Sequence, residues 1–180
     1  MPDLAAPTEA IDLFPATVVS RTGDALLRLL SEDESLRSWC HDGGQINQWE
    51  LQGLLETTDL NPPAVGLILD SVDDSQHHPG ASDLRTTWLI GYIEGVEQAR
   101  GTRGWLRARV VEHIHGLINS VVASGNGLLD EAGERVCEAV VQWRASNLSR
   151  RLAPGSPYCI TPMELTLRHL VHRTTRELIP

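Results

Sequence analysis

Apolar residues recur at three- and four-residue spacing along most of this chain, and that spacing constrains its fold more than any motif does. After Gly101 and Gly104, the residues Leu106, Val110, Ile114, Leu117, Ile118 and Val121 form one stripe that stops at Ser124-Gly-Asn-Gly, as in a helix packed on a core. The same reading predicts a helix from Thr22-Gly-Asp through Leu26, Leu27, Leu29 and Leu30 toward Leu36. Another starts at Asn47, with Glu50 at capping-box spacing, and runs through Leu51, Leu54 and Leu55. A third begins at Pro62 or Pro63 and sets Val65, Ile68, Leu69 and Val72 on one face. Helices are also expected from about Ser82, from Asp130 through Val136, Val140 and Val141, and in a short basic stretch from Ser146 to Leu152. The last is expected from Thr161-Pro-Met-Glu, burying Met163, Leu167, Leu170, Val171 and Leu178. Only Thr86 to Ile90 has a claim on β structure.

The expected fold class is therefore all-α. With 180 residues and 41% hydrophobic content the chain can bury one core, so residues 1–20 read as a tail and residues 21–180 as one domain, divisible into lobes at 21–100 and 101–180. Aromatics are only 4% of residues, and five of them are Trp, which leaves the core to Leu, Val, Ile and Ala. The net charge is -9, and all 15 basic residues are Arg, a usage expected of a GC-rich bacterial coding sequence. Such a surface repels nucleic acid and acidic membranes except where arginines gather, as at Arg100, Arg103, Arg107 and Arg109 and at Arg168, Arg173 and Arg176. The start Met-Pro-Asp-Leu-Ala-Ala-Pro does not read as a secretory signal, and no apolar run has membrane-spanning length. A cytoplasmic location is expected. Cys40, Cys137 and Cys159 form no CxxC pair and read as reduced, packed thiols.

The run HDGGQINQWEL (residues 41–51) carries Gly44, Ile46 and Glu50, the spacing of glycine, apolar residue and glutamate that closes a calcium loop. Partial copies occur at Gly127 and Leu129 in SGNGLLDEAGERV, at Ile160 and Glu164 in CITPMEL, and, distorted, in VDDSQHHPGASDL. Over about residues 24–175 this resembles the four-unit EF-hand proteins of calmodulin and calerythrin type, which implies paired helix-loop-helix units. Carried onto this sequence, the loop positions His41, Glu50, Asp73, Ser124, Asn126, Asp130 and Glu164 hold oxygen or nitrogen donors, but Trp39, Gly43, Val122, Gly133, Ala153, Gly155 and Pro157 stand where ligands belong. The loops are thus expected to be calcium-incompetent, with no metal and no cofactor.

A second resemblance overlaps the first. Leu54, Leu55, Leu60, Val65 and Ile68 suit a helix-turn-helix, and DLRTTWLI (residues 83–90) resembles the wing strand of MarR-type winged-helix regulators. That family implies a homodimer built on the long helices after residue 104. Yet Asp59 stands at the turn glycine, and no cation lies between Arg37 and Arg85. Phosphate contact requires cations, so DNA is not an expected partner.

Catalytic constellations are sparse. Glu112 and His115 form a single ExxH, Cys40-His41-Asp42 places a thiol, an imidazole and a carboxylate in sequence, and His169 and His172 are an i, i+3 pair read as a solvated basic face. The expectation drawn from all this is a protein binding a peptide or small molecule in an apolar inter-helix groove, with Leu54, Leu69, Trp88, Leu117 and Trp143 contributing. The alternatives are a MarR-like regulator and a small helical enzyme of small-molecule metabolism.

Overall fold

In a computed structural model, described for residues 16–40, 46–48, 62–78, 80–101, 104–146, 148–151, 154–172 and 178–179, the chain is sheet-rich rather than all-α. In chain order the elements are α1 (Val18–Glu32), α2 (Glu34–Trp39), β1 (Ile46–Gln48), β2 (Ala64–His78), β3 (Ala81–Gly95), α3 (Val96–Gly101), α4 (Gly104–Ala123), β4 (Ala139–Ala145), β5 (Arg150–Arg151) and β6 (Tyr158–His172). The strands form one sheet of order β1-β2-β3-β6-β4, with β5 also on β6. Only the β1–β2 pair is parallel among the described residues. Neither the paired helix-loop-helix units of an EF-hand protein nor the helical frame of a winged-helix regulator is present among those residues.

The long strands β3 and β6 form the spine, in unbroken register from Ala81↔His172 to Gly95↔Tyr158. Along β6, Met163, Leu165, Leu167, His169 and Val171 are buried while Glu164, Thr166 and Arg168 alternate to the other face, the two-residue period of a strand. Met163, Leu167 and Leu170 also satisfy a helical template, which is why the segment reads as a helix. Leu165 between two polar residues is the local sign that decides against it. Pro162 does not start a helix. Its carbonyl accepts from Ser146 N–H at 3.1 Å, so its missing N–H faces the same gap between β4 and β5, where no ladder bond is lost.

In β2, Val65, Leu67 and Leu69 alternate toward the core opposite Tyr92, Ile90 and Trp88 of β3. A bulge between Leu69 and Ser71 then shifts the register, and the hairpin closes at His78↔Ala81 beside Gly80, whose φ of 90° suits a residue without a Cβ. The polar run Asp73 to Gly80, read as an inter-helix loop, is thus mostly strand. Thr86 to Ile90 lies in β3. The expected helix after Asp130 is instead a tight turn with a Leu129↔Arg135 bridge, followed by β4. Asn47, read as a helix cap, belongs to β1, and the rest of that expected helix lies outside the described residues.

Where helices do form, their ends follow elementary capping. Thr17 and Ser20 make a reciprocal capping box at α1, and Asp33 caps α2 by accepting from Leu36 N–H at 2.8 Å. Helices α1, α2 and α4 cover one face of the sheet. Leu26 and Leu30 of α1, Leu36 of α2 and Val111, Ile114, Ile118 and Val122 of α4 close on Leu67, Trp88, Ile90, Met163, Leu165 and Leu167, giving two layers around one core. On the opposite face, Arg85 and Arg168 are cross-strand neighbours, and the buried Asp83 lies 3.7 and 3.2 Å from them. Ile160 folds over Gly91 there, so closely that a Cβ at Gly91 would sit 2.6 Å from Ile160 Cδ1. No helix among the described residues is long and apolar enough to cross a membrane.

Candidate functional site

The short helix α2 and the N-terminal half of α4 enclose a groove of about 370 Å³ lined by Ser35, Leu36, Trp39, Leu106, Arg109, Val110 and His113. Its geometry follows from local chemistry. Asp33 ends α1, caps α2 and accepts from His113 Nε2 of α4 at 2.9 Å, so one carboxylate ties the two walls together. Partial burial opposes the charged form of Asp33, but the bonds from His113 and from the α2 backbone outweigh it and hold the acid below its ordinary pKa. Leu106, Arg109, Val110 and His113 share one α4 face because they recur at three and four residues.

Trp39, at the C-terminal end of α2, donates its indole N–H to Tyr92 Oη at 2.9 Å. That bond anchors the ring while leaving the residue 41% exposed. Burial pushes the Tyr92 phenol up to about 12, so it stays a neutral hydroxyl. On the facing wall, the Arg109 guanidinium lies 5.8 Å from the ring centroid of Trp105, a residue 55% exposed. The groove thus joins an apolar floor, the accessible indole of Trp39 and a guanidinium with no carboxylate partner among the described residues, and a second exposed indole, Trp105, lies beside that guanidinium.

Of the residues anticipated for a groove, the described ones lie elsewhere. Trp88 is core, and Leu69, Leu117 and Trp143 pack partly buried against that core; Leu54 lies outside the described residues. Of the catalytic candidates, His41 and Asp42 also lie outside them. Glu112 is exposed on α4, and His115 stacks on Trp143 with centroids 4.8 Å apart. The adjacent Cys40 is buried, and desolvation raises its thiol to about 11, far from a ready nucleophile. Cys137, raised to about 12 by burial, is equally inert.

The described loop positions of the EF-hand reading do not converge either. Glu50 is outside the described residues, Asp73 is exposed on β2, Ser124 and Asn126 are exposed after α4, and Glu164 is half-buried on the far face of β6. Asp130 instead braces the turn that follows α4, accepting from Glu134 N–H at 2.8 Å and pairing with Arg21 at 3.0 Å. Burial raises its pKa less than those bonds lower it, so the carboxylate stays below its usual range. Among the described residues, no group of three or more His, Cys, Asp or Glu side chains is placed to hold a metal ion.

His169 and His172 point to opposite faces of a strand, not along one basic helix face. His169 is fully buried. Its Nδ1–H donates to Val136 O at 2.6 Å, Thr86 Oγ1–H donates to its Nε2 at 2.8 Å, and Trp88 Nε1–H donates to Thr86 Oγ1 at 2.9 Å. A carbonyl can only accept, so Nδ1 carries a proton, and burial disfavours a second one, which leaves Nε2 to accept from Thr86. Desolvation holds its pKa below the ordinary value despite the raising effect of Val136, Glu138 and Asp83. Sequence reading missed Ser35, Leu36, Trp39, Arg109 and His113 as a set. The one available signal was Trp39 and Trp105, large aromatics placed near arginines in an otherwise aromatic-poor chain. No protein-family model matches this chain, and no curated protein shows significant similarity to it.

Proposed function

We propose that this protein is a binding module whose α2–α4 groove takes an acidic amphipathic helix of a partner protein. The observation that carries this reading is the pairing of an apolar floor, Leu36, Leu106 and Val110, with exposed Trp39 and Trp105 beside Arg109, which has no carboxylate partner among the described residues. Trp and Arg are the residue types that dominate binding energy at interfaces, and a groove between helices suits apolar anchors spaced at i, i+3, i+4 and i+7. Arg109 selects the charge: a carboxylate on the bound helix gains a bidentate partner, whereas a cation meets repulsion. Trp39 in the groove and Trp105 beside Arg109 are both exposed, which favours an extended partner over an engulfed small molecule.

The test uses a synthetic helical peptide with Leu at i, i+3, i+4 and i+7 and Glu on its flanks, and a second peptide with Lys in place of Glu. Backbone amide shifts of the isotope-labelled protein should saturate at residues of α2 and α4 with the Glu peptide and be at least tenfold weaker with the Lys peptide. Arg109→Glu should reverse that preference. Equal response to both peptides, or shifts confined to other elements, would sink the reading. Saturation of the same amides by a small aromatic acid but by neither peptide would replace the partner helix with a small-molecule ligand.

A further inference from the structure

A second concavity lies between α3, α4, β5 and the start of β6. It measures about 260 Å³ and is lined by Val96, Ala99, Arg100, Arg107, Ser149, Arg151 and Cys159. Three guanidiniums from three elements therefore meet in one cavity of a chain whose net charge is -9. Their engagements differ. Arg107 is locked: it pairs with the buried Glu94 at 2.6 Å and donates to Ala99 O, which makes it a fixed wall. Arg100 pairs at 2.9 Å with Glu97, but both side chains are well exposed, and an exposed pair of this kind contributes little, so Arg100 can be recruited. Arg151 has no ion pair among the described residues.

Ser149 adds an independent sign. Its Oγ is buried without a hydrogen-bond partner among the described residues, although buried hydroxyls are ordinarily satisfied. Ser149, Arg100 and Arg151 line one space, hydroxyl and guanidinium donors match an oxyanion, and guanidinium binds phosphate oxygens in bidentate fashion. The cavity is larger than a lone phosphate needs, and Val96, Ala99 and Cys159 supply an apolar wall for a small organic body. Burial of Cys159 makes it part of that wall.

We infer that this cavity is a binding site for a small phosphomonoester, with Arg151, Arg100 and the Ser149 hydroxyl holding the phosphoryl oxygens and Arg107 fixed behind them by Glu94. This site stands apart from the α2–α4 groove and does not depend on its occupant.

Phenyl phosphate serves as the probe, with inorganic phosphate and benzoate as comparison ligands, in low-salt titrations followed by amide shifts and calorimetry. Phenyl phosphate should shift the amides of Ser149, Arg151 and Cys159 saturably, bind more tightly than inorganic phosphate, and bind at least tenfold more tightly than benzoate. Arg151→Gln should weaken it tenfold or more, and Ser149→Ala by a smaller factor, with the unliganded amide spectrum otherwise retained in both variants. Benzoate binding as tightly as phenyl phosphate, unsaturable shifts, or undiminished binding in both variants would each overturn the assignment.

Discussion

Trp39 and Trp88 make the same hydrogen bond and stand in opposite situations. Each indole N–H donates to a hydroxyl at 2.9 Å, Trp39 to Tyr92 and Trp88 to Thr86. Trp88 is only 1% exposed, and its acceptor passes the chain of donors on to His169 and the Val136 carbonyl. Every side-chain polar atom in that chain has a partner inside the protein, so the cluster specifies the core and has nothing left to offer a ligand. Trp39 is fixed by one bond, but its ring faces out beside Leu36 and Val110. A pinned but accessible aromatic suits recognition, because little side-chain freedom remains to be lost on binding.

The contrast is broken most directly by removing each ring. Trp88→Ala should cost about 3–5 kcal/mol in chemical denaturation, from lost packing and a cavity at the centre of the sheet. A loss below about 1 kcal/mol would show that the Trp88 cluster is not the structural centre claimed for it.

The pH dependence tests the closed cluster more finely. His169 has a lowered pKa when folded, so the unfolded chain binds the extra proton first. Its contribution is fully present above the unfolded value of about 6.5 and is lost as pH falls from there toward the folded pKa. Between pH 7 and pH 5 this one residue should remove at most about 2 kcal/mol, since each unit of pH is worth about 1.4 kcal/mol per proton. Comparison of His169→Gln with the parent by urea midpoint isolates the effect, and an unchanged pH slope would contradict a neutral buried imidazole.

On the open side the expected changes shrink. Trp39→Ala should cost about 1 kcal/mol, roughly the net worth of its hydrogen bond with a partly buried ring, while abolishing peptide binding in the groove. Arg109→Gln, at a position without an ion pair among the described residues, should lower stability by no more than about 0.5 kcal/mol in the same denaturation experiment. A severe folding defect in Arg109→Gln would erase the distinction between the two tryptophans' surroundings.

Some of this was legible in the residues alone. The stripe from Leu106 to Val121 became α4, because a helix that long satisfies its own backbone hydrogen bonds and needs only a surface to lie on. The leucines from Leu26 to Leu30 became α1 for the same reason. The strands escaped detection because Val65, Ile68, Leu69 and Val72 in β2, and Met163, Leu167 and Leu170 in β6, fit a helical template, and the alternating sets that face the core, Val65, Leu67 and Leu69 and Met163, Leu165 and Leu167, share residues with them. Capping chemistry misled as well: Thr161-Pro-Met-Glu has every residue of a helix start and lies in a strand.

The groove was illegible for a related reason. Its walls, Trp39 of α2 and Arg109 of α4, lie far apart in the chain, and they meet only because both helices lie on the same sheet face. The candidates chosen by apolar character, Trp88 above all, were drawn into the core by that same character.

By itself the sequence determined the self-sufficient parts: one acidic, arginine-only chain with a single core's worth of apolar residues, and helices whose backbone bonds close locally. Only the tertiary structure decided that β2, β3 and β6 are strands, that His169 is a neutral interior residue, and that Arg100, Arg107 and Arg151 share a cavity. A strand's hydrogen bonds are made by residues far away in the chain, so its identity resides in its partners.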